Sequence, residues 1–451
     1  MMREKNILRV LENLILQSTA DQTETLLLTE DSSLARFTPT SIHQHVAEKN
    51  QTLFLRVVTG KRVAVVTTNV LQPSSLKDSL EKAITLARFL PPNEDFLSLP
   101  GPKPIPWAET HFENVHRLTP QRRGKVIRTI MSLVKEKGFK ASGALSHGEV
   151  EVGIVNSLGV KAYQKYSDFF LHLIVQSEMG SGYASFISRD LDQLQVEPLV
   201  RGAMTKASRG APQEVKPGEY DVILEPDAVH ELLSFLGHLG FHGLAFQEGR
   251  SFFCNRLGER MVDEQVTIYD DGMDPEGLQV PFDFEGGPKQ KVLFFEEGVA
   301  RNVTHDSFTA GRAGVGSTGH ARIPPNSEGP IPLNLFMRAG KTPLEEMVRT
   351  VRRGIYVTRF HYTNVVEPMK AVITGMTRDG TFRIEEGEIK SPIQNLRFTE
   401  SILKALSRVK AVSAERKICS SGSVYGRRFM TGTVVPALRI DGFNFSGVSS
   451  L

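Results

Sequence analysis

Cysteine is nearly absent from this sequence, which has only Cys254 and Cys419 among its 451 residues. Two cysteines are too few to crosslink a chain of this length, so a disulfide-stapled secreted domain is excluded and a reducing compartment is expected. Neither cysteine belongs to a Cys-x-x-Cys pair of the kind that binds zinc. The sequence also lacks the run of roughly 20 apolar residues that a membrane span requires. We therefore expect a cytoplasmic protein that does not enter a membrane.

The sequence also lacks a large excess of positive or negative residues. The 54 Lys and Arg residues nearly balance the 51 Asp and Glu residues, and the net charge is +3. Proteins that bind nucleic acid usually carry a strongly basic face, so no nucleic-acid partner is expected. Hydrophobic residues make up 40% of the chain and charged residues 23%, which is typical of a folded globular protein. Glu4 and Glu12 interrupt the apolar pattern of the N-terminus, which excludes a secretion signal there.

Hydrophobic periodicity and turn residues predict an α+β fold, with N-terminal mixed α/β segments followed by a strand-rich C-terminal domain. We place an N-terminal α+β domain at 1–100, a middle α+β domain at 110–212 and the strand-rich domain at 213–451. The first boundary is a proline-rich stretch that can continue neither a helix nor a strand. Within the third domain, short strands are expected around helices at 228–239, 343–354 and 398–408.

A group of histidines in the third domain is the most prominent candidate for chemistry. His230, Glu231, His238 and His242 fall in or just after the expected helix at 228–239. If that helix persists, His238 and His242 lie one turn apart, at a spacing that suits a metal ion. A catalytic zinc helix normally has a Glu between its two His, and no residue between these two can act as a base. Ordinary histidines near a helix end are the alternative interpretation.

Other sequence motifs are either absent or lack the flanking residues that their function requires. Residues 314–319 match G-x-G-x-x-G, but the prolines that follow at 324–325 prevent the helix that a dinucleotide site needs. No G-x-S-x-G elbow is present, and neither cysteine has a catalytic signature around it. The acidic residues between 270 and 285 lack the order of a calcium loop. These patterns predict no nucleophile and no nucleotide or calcium site.

Nine stretches of the third domain, taken in their order along the chain, match the pattern of a known protein family. They are 248–253, 257–259, 281–286, 292–299, 316–319, 344–346, 353–359, 385–389 and 438–442. Together they resemble the C-terminal domain of the TldD/PmbA family, which comprises bacterial and archaeal proteins linked to peptide maturation and degradation. The resemblance extends over most of residues 216–445.

This resemblance implies a division of roles between two types of subunit. TldD-type subunits are zinc metallopeptidases with an HExxxH helix and a later cysteine ligand, whereas TldE/PmbA-type subunits lack these ligands and pair with a TldD-type partner. Here His230 and Glu231 match the first two letters, but the sixth position is Phe235. The segment 430–436, where the late cysteine is expected, contains none. The chain is therefore closer to the TldE/PmbA type, and no catalytic residue, cofactor-binding residue or metal ligand is carried over.

Three functional hypotheses follow from this comparison. The first is a TldE/PmbA-like, non-catalytic subunit of a TldD-type zinc peptidase complex in peptide maturation or degradation, which holds extended peptides by strand addition. In that case the zinc belongs to the partner, in a heterodimer, although a homodimer is the other arrangement considered. The alternative is an autonomous, divergent metallopeptidase with zinc at His238 and His242, and with Glu231 as a further candidate ligand. The third is a non-enzymatic regulator, which the family's older label as a gyrase modulator suggests. The sequence leaves open whether this chain is itself an enzyme.

Overall fold

The structure is a computed structural model that describes residues 4–422, 426–429 and 431–449. The helices are α1 (Glu4–Gln17), α2 (Pro73–Phe89), α3 (Glu113–His116), α4 (Pro120–Lys135), α5 (Val196–Ala207), α6 (Pro226–Leu239), α7 (Gly243–Gln247), α8 (Ser307–Ala313), α9 (Leu344–Arg349) and α10 (Ile402–Leu406). The strands of the N-terminal half are β1 (Gln22–Phe37), β2 (Ile42–Thr59), β3 (Arg62–Thr68), β4 (Lys140–Asn156), β5 (Lys161–Gln176) and β6 (Ser181–Ser188). Those that follow are β7 (Gly218–Leu224), β8 (Ile268–Asp270), β9 (Val292–Glu296), β10 (Val299–Ala300), β11 (Asn334–Met337), β12 (Arg353–Glu367), β13 (Val372–Glu385), β14 (Glu388–Pro392), β15 (Leu396–Ser401), β16 (Val409–Cys419) and β17 (Gly432–Val448). The predicted α+β class, with a strand-rich C-terminal region, is confirmed.

Strands β1 to β6 form one antiparallel sheet in the order β3-β2-β1-β4-β5-β6. Because successive side chains of a strand point to opposite faces, each face of this sheet has its own packing partner. On one face, Leu27 packs against α1 and Phe169 packs against α4 and α5. On the other face, Leu26 and neighbouring apolar residues pack against Phe282 of the third segment. The sheet therefore lies between its own helices and the C-terminal half of the chain.

The two predicted N-terminal segments contribute to the same sheet. Strand β1 pairs with β4 from Glu24 opposite Asn156 to Phe37 opposite Gly143. Residues 99–107 lie within the connection between α2 and α3 and form neither a helix nor a strand. The division at 1–100, 110–212 and 213–451 stays a prediction, and the β1–β4 pairing is a structural link between its first two parts.

Strands β7 to β17 form a second, mixed sheet of eleven strands. Part of it closes on itself, because β7 pairs with β12 in parallel and with β17 in antiparallel orientation. The strands β7, β12, β13, β15 and β17 thus form a ring, and Phe360, Phe398 and Phe443 pack together in the core beside it. The Phe360 and Phe398 ring centroids lie 4.4 Å apart. Among the described helices, none has both the length and the apolar character that a membrane span needs.

The predicted helix at 398–408 is wrong in its first half. Leu396–Ser401 form β15, and only Ile402–Leu406 form α10. The side chains of β15 alternate between buried Phe398 and exposed Arg397, which is the period of a strand. Pairing of β15 with both β13 and β17 outweighs the local helical pattern.

Candidate functional site

Helix α6 carries three of the four residues that the sequence singles out for chemistry. Pro226 occupies its first turn, where the missing N–H group costs nothing, and an apolar stripe that includes Leu232 and Leu236 packs into the core. The helix ends at Leu239, because Gly240 adopts φ −152° and ψ −8°. The chain therefore leaves the helical path before His242, and the condition for an i, i+4 pair of His238 and His242 is not met.

The His242 side chain forms hydrogen bonds with the backbone. It is the N-cap of α7, and its Nδ1 accepts a hydrogen bond from the Ala245 N–H at 3.3 Å. Its ring also forms a hydrogen bond with the backbone of His238. Burial, followed by repulsion from Arg322, lowers the pKa of His242 to about 4, so the ring is neutral. A metal ion bound through Nδ1 would have to break the helix cap.

The residues of the alternative zinc site do not come together. His238 is exposed, and Glu231 lies seven residues before it, roughly 10 Å away along the axis of α6. Within residues 4–422, 426–429 and 431–449, no group of three or more His, Cys, Asp or Glu side chains could hold a metal ion. His238, His242 and Glu231 therefore do not fit a zinc ion. Met430, the first residue of the segment inspected for the late cysteine, lies outside the described residues.

The His230 imidazole forms hydrogen bonds with two hydroxyl groups. Its Nδ1 lies 2.7 Å from Thr433 Oγ1, and its Nε2 lies 3.5 Å from Ser421 Oγ. Burial lowers the pKa of His230 to about 4, and Asp227 opposes this shift. The imidazole is therefore neutral, and it joins α6 to β17 and to the segment before it.

Asp227, Lys417 and Ser185 form a polar cluster between the two sheets. The Lys417 Nζ lies 2.6 Å from Asp227 Oδ2 and 2.9 Å from Ser185 Oγ, and the Ser185 hydroxyl donates to Asp227 Oδ1 at 2.7 Å. The three residues belong to α6, β16 and β6, which are far apart in the chain. Sequence reasoning missed this cluster because nothing in any one segment marks its residues as neighbours.

The charge on Lys417 argues against a role of Ser185 as a catalytic nucleophile. A serine beside a lysine is activated only if the lysine can accept its proton. Burial alone would lower the pKa of Lys417, but Asp227 outweighs it and the pKa lies above its usual range. Lys417 is therefore protonated and cannot act as a base. Burial also raises the pKa of the nearby Cys419 thiol well above its usual value, which makes it a poor nucleophile.

A second buried link joins the segment between β16 and β17 to the first sheet. The Arg428 guanidinium binds Asp168 through Nε and Nη2, both at 2.6 Å from the carboxylate oxygens. Its Nη1 donates to Ser146 Oγ at 3.0 Å, and its backbone N–H donates to Glu30 at 2.8 Å. Arg428 and Asp168 are only 3% and 2% exposed. This geometry anchors the C-terminal half on the sheet.

A cavity of about 590 Å³ lies between the first sheet and the C-terminal half. One wall is formed by residues of β2, β3 and α2, and the other by residues near α7, α8 and 321–329. Arg56, Glu285 and Asp306 line it. Its volume lies in the range of small-molecule pockets, so it is the second candidate site of this chain.

Residues 217–447, about half of the chain, match the model of the PmbA/TldA metallopeptidase C-terminal domain. This chain belongs to the PmbA/TldD family. The metalloprotease TldD homolog of Buchnera aphidicola (subspecies Acyrthosiphon pisum) is 28% identical over 52% of the chain and 50% of its own length. The metalloprotease PmbA homolog of Haemophilus influenzae is 23% identical over 82% of the chain and 83% of its own length. The chain thus spans about half the length of the first of these curated relatives and most of the second.

A solved structure gives the same fold for a member of the PmbA/TldD family. TldE from Thermococcus kodakarensis superposes with a TM-score of 0.85 and 21% identity, and the match covers 98% of this chain and 99% of the TldE chain. At this level of identity the likeness establishes the fold alone. The two-sheet arrangement described above is therefore shared with TldE over nearly its whole length.

Proposed function

We propose that this chain is a TldE/PmbA-like subunit without a zinc site of its own, and that it acts in the cytoplasm with a TldD-type zinc peptidase in peptide maturation or degradation. The observation that carries the proposal is that the histidines in and after α6 do not have the arrangement of a zinc-binding helix. His242 caps α7, His238 is exposed, and Phe235 occupies the sixth position of the HExxxH motif when His230 is the first. The likeness to TldE over the whole chain supports the same role.

The chain's share of the work, in this proposal, is to bind the peptide and to complete the site that surrounds the partner's zinc. The distal part of β12 supports peptide binding by strand addition. Strand β7 pairs with the first part of β12, at Gly354–Val357. On the other side of β12, pairing with β13 extends as far as Glu367. Beyond Val357, the other edge of β12 has no strand partner within the described ranges. Tyr362 and Val366 on this stretch are 66% and 55% exposed, and an open strand edge favours pairing with an extended chain.

Reconstitution tests the proposed division of roles. The purified chain, a TldD-type family member and their mixture are each incubated with an internally quenched fluorescent peptide. We expect no cleavage by this chain alone and faster cleavage by the mixture than by the partner alone. Cleavage by this chain alone, abolished by His238→Ala, would support the autonomous metallopeptidase instead. A mixture no faster than the partner alone would contradict the subunit role.

A pair of variants tests the contribution of β12. Val366→Asp places a charge on the open edge and should slow cleavage by the mixture, because a charge there opposes strand pairing. Leu16→Asp on α1 is the matched control, since Leu16 is also exposed, at 83%, and lies on the first sheet's helix layer. Equal effects of the two variants would argue against strand addition at β12.

A further inference from the structure

The 590 Å³ cavity has an apolar wall and a charged inner end. Val63 and Val65 of β3 with Phe96, and Phe308 with Pro324 on the opposite side, supply the apolar surface. The charged groups near the opening are already paired, since Arg312 lies 3.4 Å from Asp95 and Arg322 lies 2.6 Å from Glu328. The opening is therefore close to neutral, and the inner end determines which ligand the cavity selects.

Negative charge is in excess at the inner end. Arg56 is the shared cation there: its Nη2 lies 2.8 Å from Glu24 Oε2 and 3.0 Å from Glu285 Oε1. Asp306 also lines the cavity, and the Ser307 backbone and hydroxyl connect it to Glu285 through bonds of 3.0 and 2.8 Å. Arg56 is thus the cation for two buried carboxylates, and the carboxyl group of Asp306 lies at the same end of the cavity.

One carboxyl oxygen of the cavity lining has no donor within the described part of the chain. Asp306 uses Oδ1 to cap α8, accepting from the Thr309 N–H at 2.8 Å and the Thr309 hydroxyl at 2.7 Å, and its Oδ2 accepts nothing. Glu24 does not line the cavity but binds Arg56, and its Oε1 is buried without a hydrogen-bond partner in the described residues. Burial, followed by the negative charge of Glu285, raises the pKa of Asp306. Asp306 is only 6% exposed, so its unpaired oxygen, with the carboxylate of Glu285 beside it, favours a ligand that brings both a positive charge and N–H groups.

We propose that this cavity binds a primary ammonium group attached to an apolar body, with the ammonium against Asp306 and Glu285 and the apolar part between β3 and Phe308. An ammonium supplies three donors and one positive charge, which matches the unpaired Asp306 Oδ2 and the negative charge of Glu285 beside it. A metal ion suits the site less well, because the walls are apolar and no set of three ligating side chains is assembled in the described residues. The N-terminal amine of a peptide and a lysine side chain share this chemistry.

This inference goes beyond the proposed function, because binding is measured on this chain alone and needs neither the partner nor cleavage. Isothermal titration calorimetry compares three probes: Leu-Phe-Leu amide with a free amine, its N-acetyl form, and N-acetyl-Leu-Phe-Lys amide. We expect the free-amine peptide to bind at least about tenfold more tightly than its N-acetyl form, the effect of one charged hydrogen bond. Tight binding of the lysine probe identifies the side-chain amine as the source, and weak binding of it identifies the N-terminal amine. Equal binding of all three probes, or no binding of either amine, would overturn the proposal.

Asp306→Asn locates the site, since Asn keeps the oxygen that caps α8 but removes the charge. It should abolish the preference for the amine, whereas Asp95→Asn, a charge removed from the exposed ion pair with Arg312, should keep it. Val65→Trp, which fills the cavity from β3 and changes no charge, should weaken binding of the amine peptide by about tenfold or more through lost space. Retention of the preference by Asp306→Asn, or of full affinity by Val65→Trp, would overturn the assignment.

Discussion

Removing the Asp168 carboxylate should cost this protein a large part of its stability. The Arg428–Asp168 pair is buried, with side-chain exposures of 2% and 3%, and both contacts measure 2.6 Å. Asp168→Ala leaves a guanidinium in a site that water does not reach, and breaking one partner of such a pair costs about 3–5 kcal/mol. Ser146 and a backbone carbonyl remain as acceptors but supply no compensating charge. Because domains are stable by only about 5–15 kcal/mol, the loss is easily measured.

Urea unfolding followed by circular dichroism gives the free energy of unfolding for each variant. Glu386→Ala is the control, since its partner Arg352 is 88% exposed and Glu386 itself 77%, and it should cost at most about 1 kcal/mol. Asp168→Leu combined with Arg428→Met removes both charges and should recover much of the loss. If Asp168→Ala costs no more than the Glu386→Ala control, the anchoring role of Arg428 is refuted.

Three further predictions concern other buried groups. His242→Ala should destabilise the protein by about 1 kcal/mol through loss of the α7 cap, whereas His242→Asn, which can still cap, should lose less in the same urea assay; equal losses would contradict the capping role. Burial, followed by Glu285, raises the pKa of Asp283 to about 7, so its neutral form stabilises the fold at low pH and that contribution is lost as pH rises through about 7. Between pH 6.5 and 8 the loss is about 0.8 kcal/mol, and it should shrink in Glu285→Gln; an unchanged slope in that variant would refute the coupling. Cys419, buried and with a raised pKa, should react with iodoacetamide more slowly than the half-buried Cys254 in the native protein, and at the same rate in urea; mass spectrometry that finds Cys419 modified first would contradict this.

Helices and strands with a strong local pattern were predictable from the sequence, and their partners were not. The stripe of Leu232 and Leu236 defines α6, and Pro226 and Gly240 mark its two ends. By contrast, the pattern at 398–408 reads as one helix, yet pairing with β13 and β17 makes its first half a strand. Such pairing joins residues far apart in the chain, so no local window contains the information.

The candidate sites show the same limit. The sequence identified His230, His238 and His242, but their roles depend on where α6 ends and on the hydrogen bonds of α7 and β17. The Asp227–Lys417–Ser185 cluster and the cavity at Arg56 bring together residues from both halves of the chain. Their charges and spacing exist only after the two sheets pack together, so composition and motifs contain no sign of them.

The zinc content of the chain purified without a partner tests the central claim most directly. Inductively coupled plasma mass spectrometry of the isolated chain should give well below one zinc per chain, and His242→Asn should leave that value unchanged. A TldD-type family member purified in the same way serves as the positive control. About one zinc per chain, removed by His242→Asn in a protein that still folds, would contradict the proposal that this chain has no metal site of its own.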